Sequence, residues 1–188
     1  MHHLIFEGAE LSGKSWLMSQ VYGYLEPKYN RSKFALDGCH WFNCDLGLFG
    51  GEHGRAVIEH YGAIFKELAG KNLLVEKFHL SDIVYGRLHR GLEIDYSDLE
   101  KALAELGFKI ILCLFPEDEK VIAERLSDRL RLYPHYARIA QAPGWYLRQQ
   151  REYLKEAGRS SLPHLKLEVE KFPDTDAAGK ILAWLGEK

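Results

Sequence analysis

Gly8-Ala9-Glu10-Leu11-Ser12-Gly13-Lys14-Ser15 fits G-x-x-x-x-G-K-[ST] at every fixed position. The segment follows the apolar residues Leu4-Ile5-Phe6 and opens a stretch of helical period, the setting in which such a loop binds phosphate. Glycine allows the tight curvature that turns successive backbone N–H groups towards one anion, and the helix N-terminus adds its positive end. All eight residues therefore read as a nucleotide-phosphate cradle, with Lys14 reaching the β- and γ-phosphates and the Ser15 hydroxyl placed for Mg²⁺. Two carboxylates, Asp37 and Glu76, follow short apolar runs, and Arg125, Arg129 and Arg131 crowd one helical stretch. Glu76 at the C-terminal edge of a central strand is suited to orient Mg²⁺ beside a γ-phosphate. Arg125 and Arg129, spaced i and i+4, share a helix face with Arg131 just beyond, so a closing lid over about 125–142 directs cations at a charge in flight.

Positioning such groups takes alternating elements. Short apolar runs separated by longer segments of helical period are the mark of βαβ units around a parallel sheet. Strands are expected at His3 to Phe6, Lys33 to Asp37, Asn72 to Glu76, Phe108 to Phe115 and Leu165 to Val169. Helices are expected at Ser15 to Leu25, Arg55 to Ala69, Ser97 to Leu106, Glu117 to Leu132, Trp145 to Ala157 and Asp176 to Leu185. Ser97 and Glu100 have capping-box spacing, and Gly107 ends that helix. Pro134, Pro143 and Gly144 interrupt the helical pattern, giving a flap near Tyr133 to Ala142. The glycines between Gly47 and Gly54 mark a loop inside a single domain spanning residues 1–188.

The composition fits that frame. At 188 residues, 46% hydrophobic and 28% charged, the chain has material for one sizeable core. A formal net charge of −2 excludes binding nucleic acid over the whole surface and leaves room for a local basic groove. No apolar run approaches the roughly 18 residues of a membrane span, and the N-terminus lacks a signal-peptide pattern, so a cytoplasmic protein with no membrane partner is expected. Cys39, Cys44 and Cys113 are odd in number and read as free thiols. His40, His53, His60 and His79 show no metal-ligand spacing.

Four segments together resemble the deoxynucleoside kinases and thymidylate kinases. Phe6-Glu7-Gly8 is similar to the F-E-G that opens their phosphate loop. Asp37, Trp41 and Asn43 resemble the acid-x-x-x-W-x-N after their second strand. Glu76-Lys77-Phe78-His79-Leu80-Ser81-Asp82 and the residues to Tyr85 resemble E-R-S-x-x-S-D-x-x-V-F, and more loosely D-R-Y-x-x-S-x-x-A-Y. Arg125 to Arg131 has the R-x-x-x-R-x-R spacing of a deoxynucleoside kinase lid. The resemblance implies a three-layer P-loop fold with a five-stranded parallel sheet, helices on both faces and a helical lid. It implies ATP and Mg²⁺ as cofactors, with Asp37 taking the acceptor proton, Glu76 and Ser15 at the metal, and Asp37, Trp41, Lys77, Phe78 and His79 at the acceptor.

The sequence also departs from both groups. Lys77 stands where they carry arginine, and a lysine cannot make the same bidentate contact. No glutamine occurs from Trp41 to Asn72, and Leu36-Asp37-Gly38 replaces the thymidylate kinase Arg-Glu-Pro. The expected activity is transfer of the ATP γ-phosphate to a nucleoside or nucleotide. Two other readings remain open: a kinase acting on a modified base or terminus in DNA, and an ATP-binding switch without turnover. A homodimer is among the forms open to such a chain.

Overall fold

The computed structural model describes residues 1–45 and 49–187, and leaves the Thr175 side chain undescribed. Gly47, where the expected loop begins, lies outside the described residues. The chain runs β1 (His3–Glu7), α1 (Lys14–Tyr29), β2 (His40–Asn43), α2 (Gly54–Glu67), β3 (Leu73–Glu76), α3 (His79–Arg90), α4 (Ser97–Glu105), β4 (Phe108–Leu114), α5 (Glu119–Leu132), α6 (Pro143–Ala157), β5 (His164–Glu168) and α7 (Thr175–Trp184). A 3-10 turn at Pro134–Arg138 separates α5 from α6, where the prolines interrupt the helical pattern.

The five strands form one sheet in the order β2-β3-β1-β4-β5, every neighbouring pair parallel. Parallel strands buried on both faces read as continuous apolar runs, and β1 and β3 are buried along their whole length. Their side chains alternate between two cores. Leu4, Phe6 and Leu74 pack with Leu17, Met18, Val21 and Ile181 under α1 and α7. Ile5, Val75 and Ile110 pack with Phe65, Phe78, Leu103 and Tyr153 under α2, α3, α4 and α6. These are the three layers of a doubly wound α/β domain. Cys39, Cys44 and Cys113 are free and buried. Burial pushes the Cys39 and Cys113 thiols up to about 12 and raises Cys44 as well.

Three expectations are corrected. Lys33 to Asp37 is a bend and not a strand, with Phe34 98% exposed; the second strand is His40–Asn43. Residues 79–90 form a helix where none is expected, closed by Gly91 at φ 64°. The capping box of α4 is not made: Ser97 bonds Asp95, and the Glu100 carboxylate instead turns to His79, Ser160 and Ser161.

Candidate active site

In an open parallel sheet ligands bind beyond the C-terminal strand ends, and the loops after β1, β2 and β3 meet there. Gly8 takes φ 139° and Gly13 φ 81°, both in the region that favours glycine. A Cβ on Gly8 would lie 2.2 Å from the Cys113 carbonyl oxygen of β4, so the first glycine also answers to sheet packing. The Lys14 ammonium folds back into its own loop, donating to the carbonyl oxygens of Gly8 (2.8 Å) and Ala9 (2.7 Å). Burial pushes its pKa down to about 8, Lys77 acts in the same direction, and Glu76 and Glu10 act against both.

The first residues of α1 face the end of β3, and the Ser15 hydroxyl donates to the Glu76 carboxylate. A hydroxyl and a carboxylate in contact beside a phosphate cradle form an oxygen donor set of the kind Mg²⁺ takes, the remaining positions falling to water and phosphate oxygens. Among the described residues no group of three His, Cys, Asp or Glu side chains forms a closed metal cage.

At the same strand ends stand Asp45, two residues beyond β2, and Lys77, directly after β3. Their side chains form an ion pair, and the Lys77 ammonium lies 5.7 Å from the centre of the Tyr85 ring. Lys77 has φ 55°, a left-handed conformation unusual outside glycine and often found where strain serves a site. Asp45 carries no motif signal. It becomes visible only once β2 is placed at residues 40–43, which makes it the acid at the strand end.

The Glu10 carboxylate accepts from Tyr85 of α3 (2.6 Å) and from Tyr136 of the 3-10 turn, while the Glu10 backbone N–H donates to Gln149 of α6 (2.9 Å). The phosphate loop is thereby tied to α3, the 3-10 turn and α6.

The remaining expected site residues divide. Asp37 is not at the phosphate edge: it precedes β2 and pairs with Lys71 (2.6 Å) just before β3, so it sits at the N-terminal edge of the sheet. From Asp37 to Asn43 the chain covers on the order of 20 Å at about 3.3 Å per residue. Trp41 lies within β2 against Tyr22 of α1, on the helix side and not in the cleft. Phe78 and His79 are both fully buried, Phe78 against Phe65 and His79 beside Glu100, so neither faces an acceptor. Arg125 is engaged with backbone, that of the phosphate loop included. It donates to the carbonyl oxygens of Leu11 (2.9 Å), Val169 and Glu170 (3.2 Å), with its guanidinium 4.8 Å from the Phe172 ring. Arg131 is exposed and paired with Asp128 (2.9 Å). Arg129 alone of the three stacks on Tyr133 (4.7 Å) and Tyr136 (5.3 Å) of the lid turn.

The chain has the fold of the P-loop kinases. A B. subtilis protein, YorR, solved with phosphorylated GDP, superimposes with TM-score 0.67 at 17% identity over 97% of this chain and 95% of its own. Thymidylate kinase from Ehrlichia chaffeensis gives 0.54 at 13% identity, over 98% and 96%. A gluconokinase from Sinorhizobium meliloti gives 0.54 at 20% identity, over 98% and 91%. No protein-family model and no curated protein sequence matches the chain.

Proposed function

We propose that the protein is a kinase transferring the γ-phosphoryl group of MgATP to a hydroxyl or phosphate of a nucleoside or nucleotide. The observation that carries this reading is the gathering at one edge of the sheet of Lys14 in its loop, the Ser15–Glu76 contact and the Asp45–Lys77 ion pair. Neighbours of the same fold act on nucleotides and on sugars, which supports a phosphotransferase and leaves a sugar acceptor as the second reading.

Lys14 leaves the Gly8 and Ala9 carbonyl oxygens and turns to the phosphates, whose negative charge repays its burial. Ser15 and Glu76 would hold Mg²⁺, which would supply neutralisation of charge on the phosphate oxygens. The loop N–H groups and Lys14 fix the donor in line with the acceptor, and this positioning supplies most of what phosphoryl transfer needs. Asp45 takes the proton where the acceptor is a hydroxyl, with Lys77 holding its carboxylate in place. Where the acceptor is a phosphate, Lys77 is its counter-charge.

The test is labelled ATP with Mg²⁺ against deoxynucleosides, monophosphates, gluconate and single- and double-stranded DNA. Transfer to a nucleoside or monophosphate is expected. Transfer only to the sugar acid or to DNA overturns the acceptor class, and ATP binding without transfer to any of them overturns the kinase reading.

Two further outcomes separate the roles. Asp45→Asn is expected to lower turnover on a hydroxyl acceptor by about 10² or more with ATP affinity within about twofold, whereas Asp37→Asn changes turnover by less than about twofold. Steady-state rates beside calorimetry check this, and the reverse ranking refutes the placement of the base. The second outcome concerns pH. Lys14 in the free loop loses its proton near pH 8, and phosphate favours its charged form. ATP affinity measured in EDTA should therefore fall by up to about tenfold per unit above pH 8. A level affinity to pH 9.5 contradicts it.

A further inference from the structure

Glu7, the last residue of β1, is fully buried one position before the phosphate loop. Its carboxylate accepts from the backbone N–H of Phe78 (2.8 Å), the backbone N–H of Ser81 (3.3 Å) and the Ser81 hydroxyl (2.5 Å). Those groups belong to the first turn of α3, so a carboxylate from a neighbouring strand caps this helix and uses N–H groups that have no partner inside it. The Lys77 N–H donates to the Phe6 carbonyl oxygen (3.0 Å). The left-handed Lys77 is thus held on both sides by consecutive residues of β1, which over-determines a strained backbone.

Burial raises the pKa of Glu7, and His79 is the foremost of the groups that oppose it. The His79 ring is itself fully buried, edge-on to Phe78 (5.6 Å) and Tyr96 (6.1 Å). Its Nε2 bonds Glu100 of α4 (3.0 Å), and its Nδ1 is buried with no hydrogen-bond partner among the described residues. Glu100 also accepts from the Ser160 hydroxyl (2.6 Å), the Ser161 N–H (2.9 Å) and the Ser161 hydroxyl (3.1 Å). A buried imidazole with one nitrogen unpaired costs stability wherever it serves only packing.

We propose that His79 and Glu100 are positioning residues for the acceptor side of the site: their bond ties the first turn of α3, the turn that Glu7 caps, to α4, and that turn sets the backbone that aims Lys77 at Asp45. The proposal rests on the kinase reading for its activity arm and on the hydrogen-bond geometry alone for its second arm. His79→Leu removes the ring nitrogens, whereas His79→Gln keeps a donor for Glu100. Glu100→Gln weakens the pair from the α4 side and keeps a folded variant in hand should His79→Leu fail to fold.

In His79→Leu and, more weakly, Glu100→Gln, the acceptor KM is expected to rise about tenfold or more. ATP affinity stays within about twofold, and amide exchange at Phe78 and Ser81 quickens about tenfold by NMR. His79→Gln should recover most of both effects. Unchanged exchange at these amides in a folded variant overturns the proposal, as does an equal loss of ATP affinity and acceptor KM. If the wild type transfers to no acceptor, the functional reading fails instead, and the amide exchange still decides whether His79 holds the capped turn.

Discussion

Lys14→Ala should abolish phosphoryl transfer to every acceptor, by about 10³-fold or more. The side chain is buried in the phosphate loop, its ammonium held by the Gly8 and Ala9 carbonyl oxygens. Without it the terminal phosphates lose both position and neutralisation, the two contributions on which this chemistry chiefly depends. The substitution also takes the Lys14 donor from the Gly8 carbonyl oxygen, while Ala9 keeps the Ser12 N–H, so a modest loss of stability accompanies the loss of rate, about 1–3 kcal/mol for a buried unpaired group. Thermal unfolding beside the rate measurement separates the two. A folded variant that keeps more than a tenth of the wild-type rate, a difference under about 1.4 kcal/mol, refutes the role of Lys14.

Arg129→Ala should lower kcat by roughly 10³-fold while changing ATP affinity much less. Its guanidinium rests on Tyr133 and Tyr136, and the Tyr136 hydroxyl reaches Glu10 within the phosphate loop. The cation therefore stands on a lid element that already touches the donor side. An interaction made mainly as charge is transferred appears in turnover and not in ground-state binding. Removing the stacked cation costs the free protein about 0.5–1 kcal/mol. Arg125→Ala provides the contrast. It takes the donor from the part-buried carbonyl oxygens of Leu11 and Val169, so its first effect should be on stability, about 1–3 kcal/mol by thermal or urea unfolding. Equal kcat losses with no stability change in either variant contradict this division.

The difference between these two arginines shows where the sequence stops being legible. Their spacing places them on one helix face, but which of them is drawn under Phe172 and which onto the lid tyrosines depends on segments far along the chain. The phosphate loop and Glu76 are readable because loop, helix and strand end are continuous in sequence or marked by a motif. β2 is not readable. It is an edge strand with partly exposed residues, whereas Phe34 and Leu36 imitate a strand and are exposed. That misplacement moved the expected base from the C-terminal to the N-terminal edge of the sheet. Helix α3 is hidden for another reason: His79, Ser81 and Asp82 are buried polar residues, bonded to Glu100, Glu7, Tyr96 and Gly50 from distant segments. Tertiary partners also override the Ser97 capping box, since Glu100 is committed to the His79 pair.

The three sequestered cysteines supply a clock for opening of the domain. A thiol reagent reacts with thiolate, and these sulfurs are both enclosed and held protonated at neutral pH. Modification therefore waits for a transient breach of the surrounding layer. Cys113 lies under the first glycine of the phosphate loop, and Cys44 immediately precedes Asp45, so two of the three report on the walls of the cleft. Their labelling rates, read separately by mass spectrometry, rank candidate small molecules by the protection each confers, without an assay for product.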